Sequence, residues 1–256
     1  MKPVAFRYER PTSVEEATAL LREHGDEAKV LAGGQSLVPM LNMRLLRPSV
    51  VVDVNRLALG DVVRENGSWR VGATVRQADP RLLEIPLLAE CLPFVGHFVT
   101  RNRGTVGGSI AHADAAAELP LALTALGGSV ATSAGREISA VEFARTHFTT
   151  ALEADELVVE TVWPAAREDT RYAFDELAYR RGDFALCMAA AVRGPDGLRV
   201  AVGSVVDRPT VIAVDPAQPG ASAAEQIEPW GTLHGSADYL RQLVRVLVDR
   251  VVARVA

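Results

Sequence analysis

Apolar and polar positions alternate along the chain in short blocks whose period switches repeatedly between helix and strand. Ser13 and Glu16 form a Ser-x-x-Glu capping pair ahead of Ala17, Leu20 and Leu21, which predicts a short helix running to His24-Gly25. Lys29 to Ala32 reads as a strand ending in Gly33-Gly34-Gln35-Ser36, and Leu37, Met40 and Leu41 predict a helix directly after it. Val50 to Val54 is apolar enough for a central strand. These pieces make a small α/β layer over residues 1–57, with a glycine turn between strand and helix.

A second unit, 58–164, opens with a hairpin over 61–72 that turns at Asn66-Gly67. Helical spacing follows from Arg76 and again from Leu87 to Phe98. A small and polar loop over 101–109 then leads into an alanine-rich helix ending near Gly127-Gly128. Strands are expected at 129–132 and 156–163, with a linking helix around 141–144. Pro164 and the charged run Arg167-Glu168-Asp169 mark a boundary, so 1–164 and 165–256 are the expected domains. Beyond it, 172–180, 184–192 and 198–206 read as a meander, and 215–231 as a loop. Leu240, Leu243, Val244, Leu247, Val251 and Val255 share one face of a closing helix.

Composition narrows the chemistry. The chain has 256 residues, 48% of them hydrophobic, and a net charge of −5 with scattered basic residues, so nothing in it resembles a nucleic-acid surface. No stretch approaches the roughly 20 apolar residues of a membrane helix, and a cytoplasmic protein is the expectation. The two cysteines, Cys91 and Cys187, sit in apolar runs and read as buried thiols. An iron–sulfur cluster needs about four thiolates, so this chain alone cannot hold one.

Two glycine loops carry the candidate chemistry. In Ala32-Gly33-Gly34-Gln35-Ser36-Leu37 the missing β-carbons let consecutive N–H groups converge on an anion, although a tight strand-to-helix turn explains the same residues. The loop fits neither Gly-x-Gly-x-x-Gly nor a P-loop. About seventy residues later, Thr105-Val106-Gly107-Gly108-Ser109 repeats the paired glycines beside hydroxyl residues. Two such cradles facing one another suit a diphosphate cofactor lying in a cleft between units.

Together with Arg101-Asn102-Arg103 before it and Ile110-Ala111-His112-Ala113-Asp114 after it, the second loop makes the pair resemble the FAD-binding subunit of molybdenum hydroxylases. That family includes the medium subunit of carbon monoxide dehydrogenase and the flavin domain of xanthine dehydrogenases. The similarity continues through Arg180-Arg181-Gly182-Asp183-Phe184-Ala185 and ends in Ser236-Ala237-Asp238-Tyr239-Leu240-Arg241, spanning nearly the whole chain. It implies an α+β fold of the p-cresol methylhydroxylase type: two α/β subdomains that clasp FAD, then a C-terminal antiparallel sheet with a terminal helix. It also implies that main-chain groups of Ala32 to Ser36 and of Thr105 to Ser109 bind the pyrophosphate, with Val30, Leu31 and Leu37, on either side of the first loop, among the cofactor-binding residues. By the same resemblance Glu118 lies near the FAD sugar portion, Val158 contacts the flavin ring and Tyr179 borders it. For Tyr179 an ordinary half-buried aromatic is the competing reading. Relatives often place lysine near Asp175 or Glu176, where this chain has two acids, a departure that bears on the charge near the flavin's N1 side.

The implied function is an electron relay within a larger complex. A large molybdopterin subunit would hold the molybdenum cofactor and a small iron–sulfur subunit two [2Fe-2S] clusters, in a dimer of heterotrimers. FAD on this chain would pass electrons to NAD, a quinone or dioxygen. A freestanding FAD oxidoreductase of the same fold and a non-redox nucleotide-binding module are the alternatives. His97 and His112 flank the second loop, and Asp114 and Glu118, four apart, read as a shared helix face or the decoration of a helix start. Arg101 and Arg103 are open to neutralising a cofactor, holding a neighbouring subunit or plain solvation. No His or Cys spacing suggests a metal site.

Overall fold

The computed structural model describes residues 2–256. The first unit comprises β1 (Arg7–Glu9), α1 (Val14–His24), β2 (Ala28–Leu31), α2 (Leu37–Asn42) and β3 (Val50–Asp53). Its sheet is parallel, in the order β1-β3-β2. The Ser13 side chain caps α1 by accepting from the Glu16 amide at 3.1 Å, and Ala17 and Leu21 bury that helix on Ala28, Val50 and Val52. The short strand β1 carries no clear alternation and escaped the sequence reading. It forms because Val50 to Val52 present a free parallel edge to Arg7, Tyr8 and Glu9.

The second unit contains the hairpin β4 (Val62–Glu65) and β5 (Ser68–Gly72), then α3 (Pro86–Cys91), α4 (Phe98–Arg101), α5 (Val106–His112) and α6 (Glu118–Leu126). It continues through β6 (Ser129–Thr132), β7 (Glu137–Ser139), α7 (Ala140–Phe143), β8 (Ala144–Thr146), β9 (Thr149–Thr150) and β10 (Val158–Pro164). The main sheet runs β4-β5-β10-β6-β7, all antiparallel, with β10 at its centre. Three expectations fail locally. The helix expected from Arg76 is instead an isolated bridge to Thr105, followed by a single 3₁₀ segment at Pro80–Glu84 capped by Asp79. The helix expected over 87–98 stops at Cys91, because Pro93 cannot donate and Gly96 turns at positive φ, and it restarts at Phe98. The loop expected to run to Ser109 is already helical from Val106.

The third unit is the antiparallel sheet β11 (Arg171–Ala178), β12 (Ala185–Gly194), β13 (Gly197–Gly203), β14 (Thr210–Ile212), followed by α8 (Pro219–Glu225) and α9 (Ala237–Val255). Its strand β12 is nearly all apolar because both faces are covered. Met188 and Ala190 join the core of the second unit, while Cys187, Ala189 and Ala191 pack with Val244, Leu247 and Val251 of α9. Small side chains are needed there to admit a helix on each side. The helix α8 replaces an expected loop; Pro219 starts it, and Gly220 lets it lie against the Arg245 backbone of α9.

Candidate functional site

The pairing of β2 with β3 ends at Leu31 opposite Asp53, so the chain leaves the sheet with its next amides released from the ladder. Among the described residues no hydrogen bond within the chain uses the backbone N–H of Gly33, Gly34, Gln35 or Ser36. The Gln35 side-chain amide turns back onto the Gly33 carbonyl at 3.1 Å, which occupies an acceptor and leaves the donors free. Four consecutive unpaired donors on a loop whose Gly34 sits at φ +74° make a nest for an anion.

The second loop allocates its donors differently. Thr105 caps α5 by accepting from the Gly108 amide at 3.0 Å, Val106 donates to the Val75 carbonyl at 2.9 Å, Gly107 to Ala73 at 3.1 Å and Ser109 to the Thr105 carbonyl at 3.1 Å. Gly107 is required because a β-carbon there would lie 2.5 Å from the Ala73 Cα. What remains for a ligand is the Thr105 N–H and the Ser109 hydroxyl, neither of which has a partner among the described residues.

The two loops touch. A β-carbon on Gly33 would run into the Arg103 carbonyl and lie 2.7 Å from the Gly104 Cα, and one on Gly108 would come within 3.5 Å of the Ala32 Cβ. A side-chain relay that sequence reasoning missed ties them together. Asn55 donates from Nδ2 to the Ala32 carbonyl at 2.8 Å, and its Oδ1 accepts from Arg76 Nη2 at 2.6 Å. Arg76 Nη1 then donates to the Arg103 carbonyl at 2.5 Å. Asp53, buried beneath, accepts from the Asn55 amide at 2.9 Å and from the Tyr8 hydroxyl. Burial pulls the Asp53 carboxyl upward, but the bonds from Tyr8 and Asn55 outweigh it and hold it below its ordinary value. Only Asp-x-Asn, the outline of an Asx turn after a strand, hinted at any of this.

Glu118 begins α6 and is only 7% exposed. Burial, reinforced by repulsion from Asp114, raises its carboxyl to about 7 against the pull of its own helix amide and of Arg101. Asp114 is not on that helix: its Oδ1 accepts from the Ala116 amide at 2.9 Å and lies 3.3 Å from His147 Nε2, so the two acids share no helix face. His112, at the far end of α5, packs near Phe148, on which His147 stacks; burial lowers its basicity. Glu176 reaches toward the same seam from β11. Burial and repulsion from Glu118 raise it to about 8, and its Oε2 is buried with no partner. Both cysteines are fully buried, and burial pushes Cys187 up to about 12, so neither offers a thiolate.

The remaining predicted residues are distributed around this centre. Val30 and Leu31 are the end of β2 that delivers the first loop, and Leu37 opens α2 on its other side. Val158 is buried at the start of β10, where the Val159 carbonyl accepts from Ala73, the residue against which Gly107 packs. Tyr179 stands apart, 69% exposed in the turn after β11, with the His234 ring 5.9 Å away and the Arg180 guanidinium 5.6 Å from its ring. Arg101 holds the turn before α4 through the carbonyls of Val95 and Gly96. Among the described residues no group of three His, Cys, Asp or Glu is placed to hold a metal, and no helix is long and apolar enough to cross a membrane.

Residues 4–166 match a family described as the FAD binding domain in molybdopterin dehydrogenase. The chain belongs to this family. It is 38% identical to the alpha subunit of the 6-hydroxypseudooxynicotine dehydrogenase complex of Paenarthrobacter nicotinovorans, over 99% of this chain and 95% of that one. Quinoline 2-oxidoreductase from Pseudomonas putida 86 superimposes with a TM-score of 0.90 at 36% identity, covering 100% of this chain and 98% of the other. Carbon monoxide dehydrogenase from Hydrogenophaga pseudoflava, in a form lacking the Mo-pyranopterin moiety of its molybdenum cofactor, superimposes with a TM-score of 0.93 at 31% identity over 100% of both chains. The α+β fold implied by resemblance is therefore the fold observed, and the chain is an oxidoreductase subunit. The donor set fits the family's cofactor: free amides at Gly33 to Ser36, in a cradle that a β-carbon at Gly33 would fill, suit the diphosphate of FAD.

Proposed function

We propose that this chain is the flavin subunit of a molybdenum-containing dehydrogenase complex and relays electrons from two [2Fe-2S] clusters on a small partner subunit to an external acceptor. Substrate is oxidised at the molybdenum cofactor of a large partner. The observation that carries the reading is the run of four unpartnered amides at Gly33 to Ser36, held against the second glycine loop. Each hydrogen bond to a charged group contributes about 1.5–3 kcal/mol, enough for four donors to retain a diphosphate without a lysine. The similarity to a named dehydrogenase complex subunit, and to an enzyme described by its molybdenum cofactor, supports a heteromeric setting.

When bound, FAD supplies the capacity to take up electrons and hand them on. The chain's own residues do the positioning. Gly33 to Ser36 with Thr105 and Ser109 hold the diphosphate, Glu118 meets the sugar portion, and Val158 and Tyr179 bound the ring. Residues 1–57 and 58–164 form the two halves of the FAD-binding domain, and 165–256 the C-terminal domain.

The test is to co-express the chain with its partner subunits, quantify FAD per complex, and follow flavin absorbance anaerobically on adding the complex's substrate. FAD near one per chain, bleached by substrate only when the iron–sulfur subunit is present, is expected. A colourless complex, or bleaching without that subunit, refutes the proposal.

A further inference from the structure

Arg76 and Asn55 lie on neither glycine loop, yet they join the two. Asn55 follows β3 in the first unit and Arg76 follows β5 in the second, so the relay from the Ala32 carbonyl through Asn55 and Arg76 to the Arg103 carbonyl crosses from one unit to the other. Each end grips a carbonyl one residue away from a glycine: Ala32 precedes Gly33, and Arg103 precedes Gly104. The lower end is fixed by Asp53, which holds Asn55 through both its backbone and its side-chain amide. Arg76 carries the charge at the upper end of the relay, and Asp53 carries the opposite charge at its lower end. Arg76 makes no direct carboxylate ion pair among the described residues; burial and the neighbouring Arg103 guanidinium work against its charge, and the Asp53 carboxylate works for it at longer range. An arginine is spent here on two neutral oxygens beside a row of free amides.

We propose that Arg76 and Asn55 are cofactor-positioning residues: together they set the separation of the two glycine loops, so that the amides of Gly33 to Ser36 and the Thr105 N–H meet one diphosphate. This inference rests on the reading of the loops as the FAD site and adds to it the element that fixes their spacing. The planar guanidinium fork is essential to the role, because a single group must reach the Asn55 Oδ1 and the Arg103 carbonyl at once. A lysine retains the charge but presents a point donor. Because the two side chains act in series, removing either breaks the same link, and removing both costs little more than removing one.

The experiment measures the FAD dissociation constant, by titration of the deflavinated complex, for the wild type and for Arg76→Gln, Asn55→Ala, the double variant and Arg76→Lys. Each single variant is expected to weaken FAD about tenfold or more, as for the loss of one hydrogen bond beside a charged ligand. The double variant should match the weaker single one to within about threefold, and Arg76→Lys should keep most of the Arg76→Gln loss. ADP-ribose, which shares the diphosphate, should weaken in parallel with FAD, whereas lumiflavin, which carries only the ring system, should be unchanged. Wild-type affinity in Arg76→Lys, losses that multiply in the double variant, or equal weakening of lumiflavin overturns the clamp. If Arg76→Gln does not fold, the Arg76→Lys and Asn55→Ala pair decides by the same criteria. A wild-type complex that binds no FAD instead refutes the underlying function, which separates the two failures.

Discussion

Replacing Glu118 with Gln isolates the energetic cost of a buried acid at the start of α6. The carboxyl is raised to about 7 from an ordinary 4.5, chiefly by burial, with Asp114 adding repulsion. Because the folded value lies above the unfolded one, its contribution to stability is fully present below pH 4.5 and is lost as pH rises through 7. At 1.36 kcal/mol per unit the loss reaches about 3 kcal/mol above pH 7. Glutamine keeps the shape without the charge. The apo variant should therefore equal wild type near pH 4.5 and exceed it by about 3 kcal/mol at pH 8, a rise in melting temperature on the order of 6–12 °C. Its flavin affinity should fall at the same time if the carboxylate meets the FAD sugar portion. Denaturant unfolding of the flavin-free chain at several pH values measures the first effect, and FAD titration the second. Parallel pH profiles for variant and wild type, or a variant less stable at pH 8, would refute the assignment of a buried, strained carboxylate.

Three other perturbations probe separate parts of the structure. Gly33→Ala puts a methyl group against the Arg103 carbonyl and 2.7 Å from the Gly104 Cα, so the loops must part; FAD retained after gel filtration should fall at least about tenfold while the apo protein loses about 1–3 kcal/mol. Glu156, although burial alone would raise it, is held at about 2 by Arg136 and Thr132. Glu156→Gln should thus destabilise the chain at pH 7, with the difference from wild type fading as pH falls from 4.5 toward 2, which unfolding at low pH will register. Thr161→Val removes the acceptor of the fully buried Trp163 indole, bonded at 2.7 Å, and should cost about 1–3 kcal/mol as a lower denaturant midpoint at constant m.

What could be read in advance was what is written locally. The capping box at Ser13, the hairpin turn at Asn66-Gly67, the helical face from Leu240 to Val255 and the strands with clean apolar runs all carry their signal within a few residues. The strands that escaped, β1, β7, β8, β9 and β14, are two or three residues long. Their existence depends on an edge offered by a distant segment, as Val50 to Val52 offer one to Arg7 to Glu9. Leu87 to Phe98 kept helical spacing, yet Pro93 and Gly96 divided it, a case of backbone chemistry overruling periodicity. At the site, glycine pairs were conspicuous because they recur; Asn55 and Arg76 were not, because their significance lies in which carbonyls they reach across the fold.

The two loops look alike in composition and differ in hydrogen-bond accounting, and that difference assigns their work. In the second loop Thr105 and the carbonyls of Ala73 and Val75 consume the amides of Val106 to Ser109, so its glycines serve close packing against Ala73 as much as any ligand. In the first, the ladder between β2 and β3 ends just before Gly33, and among the described residues nothing replaces it. Backbone donors are rarely left unpaired without a partner of some kind. Four in a row, beside an arginine that bonds to carbonyl oxygens instead of carboxylates, are a donor set suited to an anion. In the proposed reading the first loop is the principal grip on the diphosphate, and the second is the wall that fixes where that grip closes.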